Sequence, residues 1–284
     1  MRALDPEVKD AVLAAVEALL PIPEDNHPLG CHRPRVPDRA CFDGILIRLA
    51  TGCSWEDAER LNGSVVSDTT LRERRTAWVE AGVFDALVDE ALAAYDKMIG
   101  LDFNNVAIDG SKHKSPVGGE GTGKNPTDRA KLGWEWSVAT ESNGIPIGWT
   151  GDGANRHDTI LLEPTLQDID DRGLLCEIET LWLDRGYDSG VVEALLKTHG
   201  IDDVIIARKR KRGQAKAKST QPMGMRWPVE RTNSWMSNYG QLRRNTDRCT
   251  SHRLAQFAFA VAILLTGKLI DWRNRWSRLL APIR

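Results

Sequence analysis

Apolar and charged positions alternate at helical spacing over residues 5–20, and the Pro-rich run "PIPEDNHPLGCHRPRVPDR" follows as a connector. "ACFDGILIRLATG" predicts a short helix closed at Gly52. "SWEDAERLNGSVVSDTTLRERRTAW" predicts two helices joined by a turn, with Ser54 capping the first and Ser67 or Asp68 the second. "FDALVDEALAAYDKMIG" then completes a helical region near residue 100. Beyond it the period shortens. "NNVAIDGS", "GWEWSVATESNG", "IPIGWTG", "ETLWLDRGYDS" and "DVIIARK" are short apolar or alternating runs bounded by Gly, Asn or Asp, and they read as strands. Asn143-Gly144 marks a hairpin between the second and third. Helices are expected over "TILLEPTLQDIDDRG" and "GVVEALLKTHG", on either side of the fourth strand.

This order predicts an α/β fold: a mixed sheet flanked by helices, behind an N-terminal helical region. The expected domains are 1–100, helical with a candidate helix-turn-helix, and 101–284. The second would carry a basic loop at 208–220 and a C-terminal helix at 251–280. "LAQFAFAVAILLTGKLI" is interrupted by Gln256, Thr266 and Lys268, so a buried helix is expected there rather than a membrane span.

Charge changes the picture more than composition does. The formal net charge of −2 hides a split: residues 208–284 hold 18 Lys and Arg against Glu230, Asp247 and Asp271. That region is +15 and the remainder −17, an asymmetry that suggests a polyanionic partner. The helix carrying Thr69, Thr70, Arg72, Arg74 and Arg75 has the content of a DNA recognition helix, and equally that of a solvated helical hairpin. Five scattered cysteines suggest free thiols in a reducing cytosol; a zinc site from Cys31, His32, Cys41 and Cys53 lacks any Cys-x-x-Cys pair.

Two acids stand at comparable places. Asp109 follows "NNVAI" and Asp184 follows "ETLWL", each near the end of an apolar strand, where open α/β sheets bind ligands. If residues 228–242 form one helix, Trp235, Met236, Tyr239 and Leu242 make its apolar stripe. Arg226, Glu230, Ser234, Ser237 and Gln241 then make a polar line. Three carboxylates suit Mg²⁺ or Mn²⁺, and two such ions can serve an in-line phosphoryl displacement. Each acid also has a plainer reading: Glu230 as an i,i+4 partner of Arg226, Asp109 and Asp184 as turn residues. Asp158 in "ANRHD" reads as a helix N-cap rather than a ligand. Trp134, Trp136, Trp149, Trp182 and Trp235 read mainly as core, with a base-stacking wedge as the alternative.

Strings of residues decide between these readings. "AIDGSKHK", "GKNPTDRAKLG", "GIPIGWTGDGANRHD", "LWLDRGYDS" and "RWPVERTNSWMSN…LRR…DR" occur in the order seen in bacterial insertion-sequence DDE transposases. The chain resembles the insertion sequence 5 family over roughly residues 20–265. That resemblance implies an RNase H-like core in which Asp109, Asp184 and Glu230 are the catalytic metal ligands for two Mg²⁺ or Mn²⁺ ions. It implies hydrolysis at inverted-repeat ends and 3′-hydroxyl strand transfer into target DNA, by a cytoplasmic, nucleoid-associated homodimer on double-stranded DNA. DNA contacts are expected from Arg226 and Arg231, from Arg243 and Arg244, from Arg208, Lys209, Arg210, Lys211 and Arg212, and from Arg72 and Arg75. In the related Tyr-x2-Arg-x3-Glu-x6-Lys signature, Met223 takes the Tyr place and Ser237 the Lys place. The rival readings are a catalytically silent DNA-binding descendant and an RNase H-like nuclease without strand transfer.

Overall fold

In the computed structural model, residues 2–22, 35–207 and 227–279 are described. The chain forms two compact units. The first comprises residues 1–99, 238–244 and 251–284, and the second residues 100–237 and 245–250.

The first unit is helical. Helix α1 spans Pro6–Leu19, α2 Asp38–Thr51, α3 Trp55–Leu61, α4 Asp68–Glu80 and α5 Val83–Met98. Asp5 caps α1, with Pro6 at its first position. Ser54 accepts from the Asp57 N–H at 3.0 Å and Ser67 from the Thr70 N–H at 3.3 Å, so the second cap is Ser67. Buried positions Val8, Val12, Leu13 and Val16 make one stripe of α1, as a 3.6-residue period requires.

The C-terminal helix, which the sequence reading grouped with the sheet, belongs to this helical unit instead. It is the last helix of the chain, α10, Thr250–Leu279. Its Phe259 ring packs 5.7 Å from Phe42 and 5.1 Å from Phe84, so long-range aromatic burial overrode chain proximity. By length and composition alone Thr250–Ser277 could cross a membrane, yet 67% of its most apolar window is buried within the chain.

The second unit is a sheet with helices. Its strands are β1 Val106–Lys114, β2 Gly123–Lys124, β3 Leu132–Thr140, β4 Pro146–Gly153, β5 Leu181–Leu183 and β6 Val204–Ile206. Helix α6 spans Asp158–Asp171, α7 Gly190–Thr198 and α8 Trp227–Met236. The sheet order is β2-β3-β1-β5-β6, with β4 also on β3. β1 is antiparallel to β3, and β3 to β4, while β5 is parallel to both β1 and β6. The expected strands are thus all present, and the two-residue β2 is an addition too short to show a period. Val106, Ile108, Leu162, Leu166, Ile169, Leu181 and Leu183 form the core between sheet and helices.

The expected single helix over 228–242 is broken. α8 stops at Met236, and α9, Gly240–Arg243, lies in the other unit. Gln241, expected on a polar line with Glu230, is fully buried in that unit.

The β3–β4 hairpin is built on a buried acid. Gly144, at φ 76°, supplies the left-handed residue that closes the Glu141–Gly144 turn, whose Gly144 N–H donates to the Glu141 carbonyl at 2.8 Å. Fully buried, Glu141 accepts from the Asn143 and Ile145 N–H groups at 2.8 and 2.9 Å and from the Asp102 N–H at 3.1 Å. Burial raises its pKa, with these hydrogen bonds acting against the rise. Glu141→Gln sets an amide donor among backbone donors and is expected to cost about 2–3 kcal/mol in urea unfolding. A loss under about 0.5 kcal/mol would mean that the turn holds without this carboxylate.

Candidate active site

The register of β1 and β5 sets the site. Val106 pairs with Leu181 and Ala107 with Trp182. Continued two residues, that parallel register puts Asp109 abreast of Asp184 on one face, on strands about 4.8 Å apart. Both acids are half-buried. Asp184 directly follows the last residue of β5 and caps the short 3-10 helix Arg185–Tyr187, accepting from the Gly186 N–H at 2.5 Å.

Helix α8 is held against this edge by its own side chains. Asn233 donates to Asp109 Oδ2 at 3.4 Å and accepts from the Trp136 indole at 2.8 Å. Glu230 is exposed one turn earlier, and the i,i+3 relation puts it on the Asn233 side of the helix. Thr232 donates to the Gly144 carbonyl at 2.5 Å and Arg231 to the Asn143 carbonyl, so the helix grips the β3–β4 turn.

Residues 8–88 match the family described as a putative transposase of the IS4/5 family, and residues 104–266 match the transposase DDE domain. The chain belongs to the IS4/5 family of DDE transposases. It is 36% identical over 132 residues to the putative transposase for insertion sequence element IS402 of Burkholderia cepacia, covering 45% of this chain and 60% of that one. It is 32% identical over 121 residues to the insertion element IS402 uncharacterized 16.2 kDa protein of the same organism, covering 43% and 82%. The chain thus spans about 60% of the length of the first of these relatives. The mixed sheet and its helices are the RNase H-like core of the DDE domain.

DDE transposase domains generally use divalent metal ions, and the residues here suit one in donor chemistry. Asp109, Asp184 and Glu230 offer hard oxygens. Two glycines near the aspartates admit no larger residue: a Cβ on Gly110, on the Lys112 face of β1, would lie 2.7 Å from Glu135 Oε1, and one on Gly186 2.8 Å from Asp184 Oδ1. Among the described residues no three His, Cys, Asp or Glu side chains lie close enough together to hold a metal ion.

The structure adds residues that the sequence reading left out. Lys112 and Glu135 pair across β1 and β3, with Nζ 3.0 Å from Glu135 Oε2 and 3.4 Å from Asp158 Oδ1. One ammonium faces two carboxyl groups, and Glu135 is almost wholly buried. Burial, and then the hydrogen bond with Asp158, push Glu135 up to about 8, against the pull of Lys112. Burial works against the Lys112 charge, yet the two acids hold its pKa above the ordinary value. The legible signal was an acid between two tryptophans in "GWEWS". Asp158 is not the cap of α6; His157 is, its Nδ1 accepting from the Thr159 N–H at 3.3 Å. His113 stacks on Trp136 at 3.6 Å, and burial lowers its pKa to about 3, so the ring is neutral.

Several expected DNA contacts are engaged inside the protein. Arg231 lies between the Trp227 and Trp235 rings, at 4.9 and 4.7 Å, and donates to a backbone carbonyl. Arg75 is buried at 6% exposure, 5.1 Å from the Trp55 ring, because its helical position faces the α3 side. Arg74 is buried against Asp38. Arg72 is exposed and paired with Asp68 at 2.5 Å, and Glu73 and Glu80 share its outward face, so α4 is a mixed rather than basic surface. Arg243 and Arg244 are exposed. Ser237, at the signature's Lys place, donates back to the Asn233 carbonyl at 2.7 Å. Trp134, Trp136 and Trp149 are core. Trp182 donates to Asn105 at 2.9 Å. Arg208, Lys209, Arg210, Lys211, Arg212, Met223 and Arg226, like Cys31 and His32, lie outside the described residues. Cys41, Cys53, Cys176 and Cys249 are free thiols.

The Glu135 proton links stability to pH. The folded chain keeps it up to about pH 8, while the unfolded carboxyl releases it near 4.5. The raised pKa therefore makes stability fall as pH climbs through that window. Glu135→Gln is expected to flatten this slope in urea melts between about pH 5 and pH 8.5. An unchanged slope would place the titration elsewhere.

Proposed function

We propose that this chain is an active insertion-sequence transposase. It hydrolyses a phosphodiester at each inverted-repeat end of its element and then joins the freed 3′-hydroxyl to target DNA. The observation that carries this reading is the β1–β5 register, which brings Asp109 beside Asp184 in a chain of the DDE family. Asp109, Asp184 and Glu230 would hold the cations, two Mg²⁺ or Mn²⁺ ions. Bound divalent cations would offset the negative charge that builds on the attacking and leaving oxygens of an in-line displacement.

The chain's own residues set the geometry. Asn233 fixes the Asp109 carboxylate, and Trp136 fixes Asn233. Gly186 orients Asp184 through its N–H. The Arg231 clamp on the β3–β4 turn sets where α8, and so Glu230, lies. Arg243 and Arg244, with the basic run 208–212, Arg226 and the exposed Arg72, would bind phosphates, with an affinity that falls as salt rises. Two protomers on DNA would hold the two element ends, and the protein would work in the cytoplasm at the nucleoid.

One observation favours the rival reading of a silent DNA-binding protein. Ser237 replaces the signature lysine and spends its hydroxyl on its own helix. A single assay separates the readings. With Mg²⁺ and a plasmid carrying the element's ends, the wild type is expected to cleave the ends and produce joined products. Asp109→Asn, Asp184→Asn and Glu230→Gln are each expected to cut the rate about 100-fold or more. Equal cleavage by the wild type and Glu230→Gln would remove Glu230 from the site. Binding of the ends without any Mg²⁺-dependent nicking would establish the silent reading, and nicking without joined products the nuclease one.

A further inference from the structure

Residues 1–207 carry a net charge of −17, yet residues 110–133 within them hold five Lys and Arg against Glu120 and Asp128, a net +3. Four of these cations are exposed: Lys114 at the end of β1, Lys124 on β2, and Arg129 and Lys131 in the loop from β2 to β3. Arg248, also exposed, joins them at that end of the sheet, where its carbonyl accepts from the Glu120 N–H at 2.8 Å. Elsewhere in this unit Lys112, Arg156 and Arg172 are each paired with an acid. None of the five exposed cations forms an ion pair among the described residues. Glu120 accepts instead from the Thr250 N–H at 3.1 Å. Like charges gathered in this way repel, and a polyanion laid across them removes the repulsion.

The β2–β3 hairpin holds its cations in fixed places. A Cβ on Gly123 would stand 1.5 Å from Asn155 Oδ1, and one on Gly133 2.6 Å from the His113 carbonyl, so the base of the hairpin is packed without clearance. Buried Asn125 folds the tip by accepting from the Thr127 N–H at 2.9 Å and its hydroxyl at 2.8 Å. Register ties the hairpin to the acids. Asp109 pairs with Val138, and Lys124 with Leu132, six residues earlier on β3. Lys124 therefore lies on the Asp109 face of the sheet, about 20 Å along it. One DNA strand covers that distance in about six nucleotides.

We propose that the β2–β3 hairpin is a phosphate-binding site for the element's own DNA, holding its backbone about six nucleotides inside the cleavage point. The inference rests on the transposase reading of the acids. Flanking DNA leaves after hydrolysis, whereas the element end stays bound until its 3′-hydroxyl is joined, so the element side is the one a fixed grip serves. The plainer account is a solvated turn whose cations meet only water and salt.

Fluorescence anisotropy with a duplex carrying the element's end and its flank tells these apart, using the intact chain with Mg²⁺ withheld. Lys124→Ala/Lys131→Ala is expected to bind about tenfold more weakly and to lower the salt slope by about two. Arg129→Asn removes a charge with a residue that tolerates the φ of 51° found there, and is expected to lower the slope by about one. Lys97→Ala/Lys197→Ala removes two exposed cations elsewhere and is expected to leave binding unchanged. Neutral methylphosphonates placed about four to eight nucleotides inside the cut should weaken the wild type but not Lys124→Ala/Lys131→Ala. Wild-type binding in both hairpin variants, or an equal loss in Lys97→Ala/Lys197→Ala, would overturn the inference and leave the transposase reading standing. So would coupling of the hairpin to methylphosphonates in the flank. No binding of the element's end by the wild type would overturn that reading and the inference with it.

Discussion

Two parallel strands fix where the acids of this protein stand. Val106 and Ala107 of β1 pair with Leu181 and Trp182 of β5, and everything at the strand ends follows from that register. A slip of one residue would turn Asp184 to the opposite face of the sheet from Asp109, because side chains alternate with a period of two. The register is itself pinned by burial: Val106, Ile108, Leu181 and Leu183 all face the core. Hydrophobic packing thus sets the placement of two charged groups that could not position themselves.

Helix α8 depends on the same sheet by a longer route. Glu141 shapes the β3–β4 turn, the turn presents the Asn143 and Gly144 carbonyls, and Arg231 and Thr232 of α8 bind them. The Trp227–Arg231–Trp235 ladder stiffens that grip, with a cation between two aromatic faces. Asn233 then reaches Asp109 from the far end of the chain. An acid far in sequence from the helix therefore helps to decide where Glu230 stands.

Much of this was legible in the sequence, and the misses have physical causes. Strand positions followed from apolar runs bounded by Gly and Asn, and Ser54, Ser67 and Gly52 signalled helix ends through local capping chemistry. What local pattern cannot carry is partner choice. α10 joined the helical unit because Phe259 meets Phe42 and Phe84, a pairing that no spacing announces. Arg75 and Arg231 looked like phosphate ligands because arginine is suited to that role, yet both lie against tryptophan rings. Asp158 was read as a cap because His157, a rarer one, already caps α6. The Lys112–Glu135 pair was hidden for a related reason: its two residues lie on different strands and meet only through the β1–β3 register.

The central claim is that Asp109 and Asp184 form one cation centre at the ends of β1 and β5. Anomalous diffraction from crystals grown with Mn²⁺ tests it most directly, because the ion reports its own position. The account predicts an anomalous peak in contact with both carboxylates at the strand ends. A peak ligated by neither aspartate, or a fully occupied Mn²⁺ site elsewhere with none between them, would contradict it.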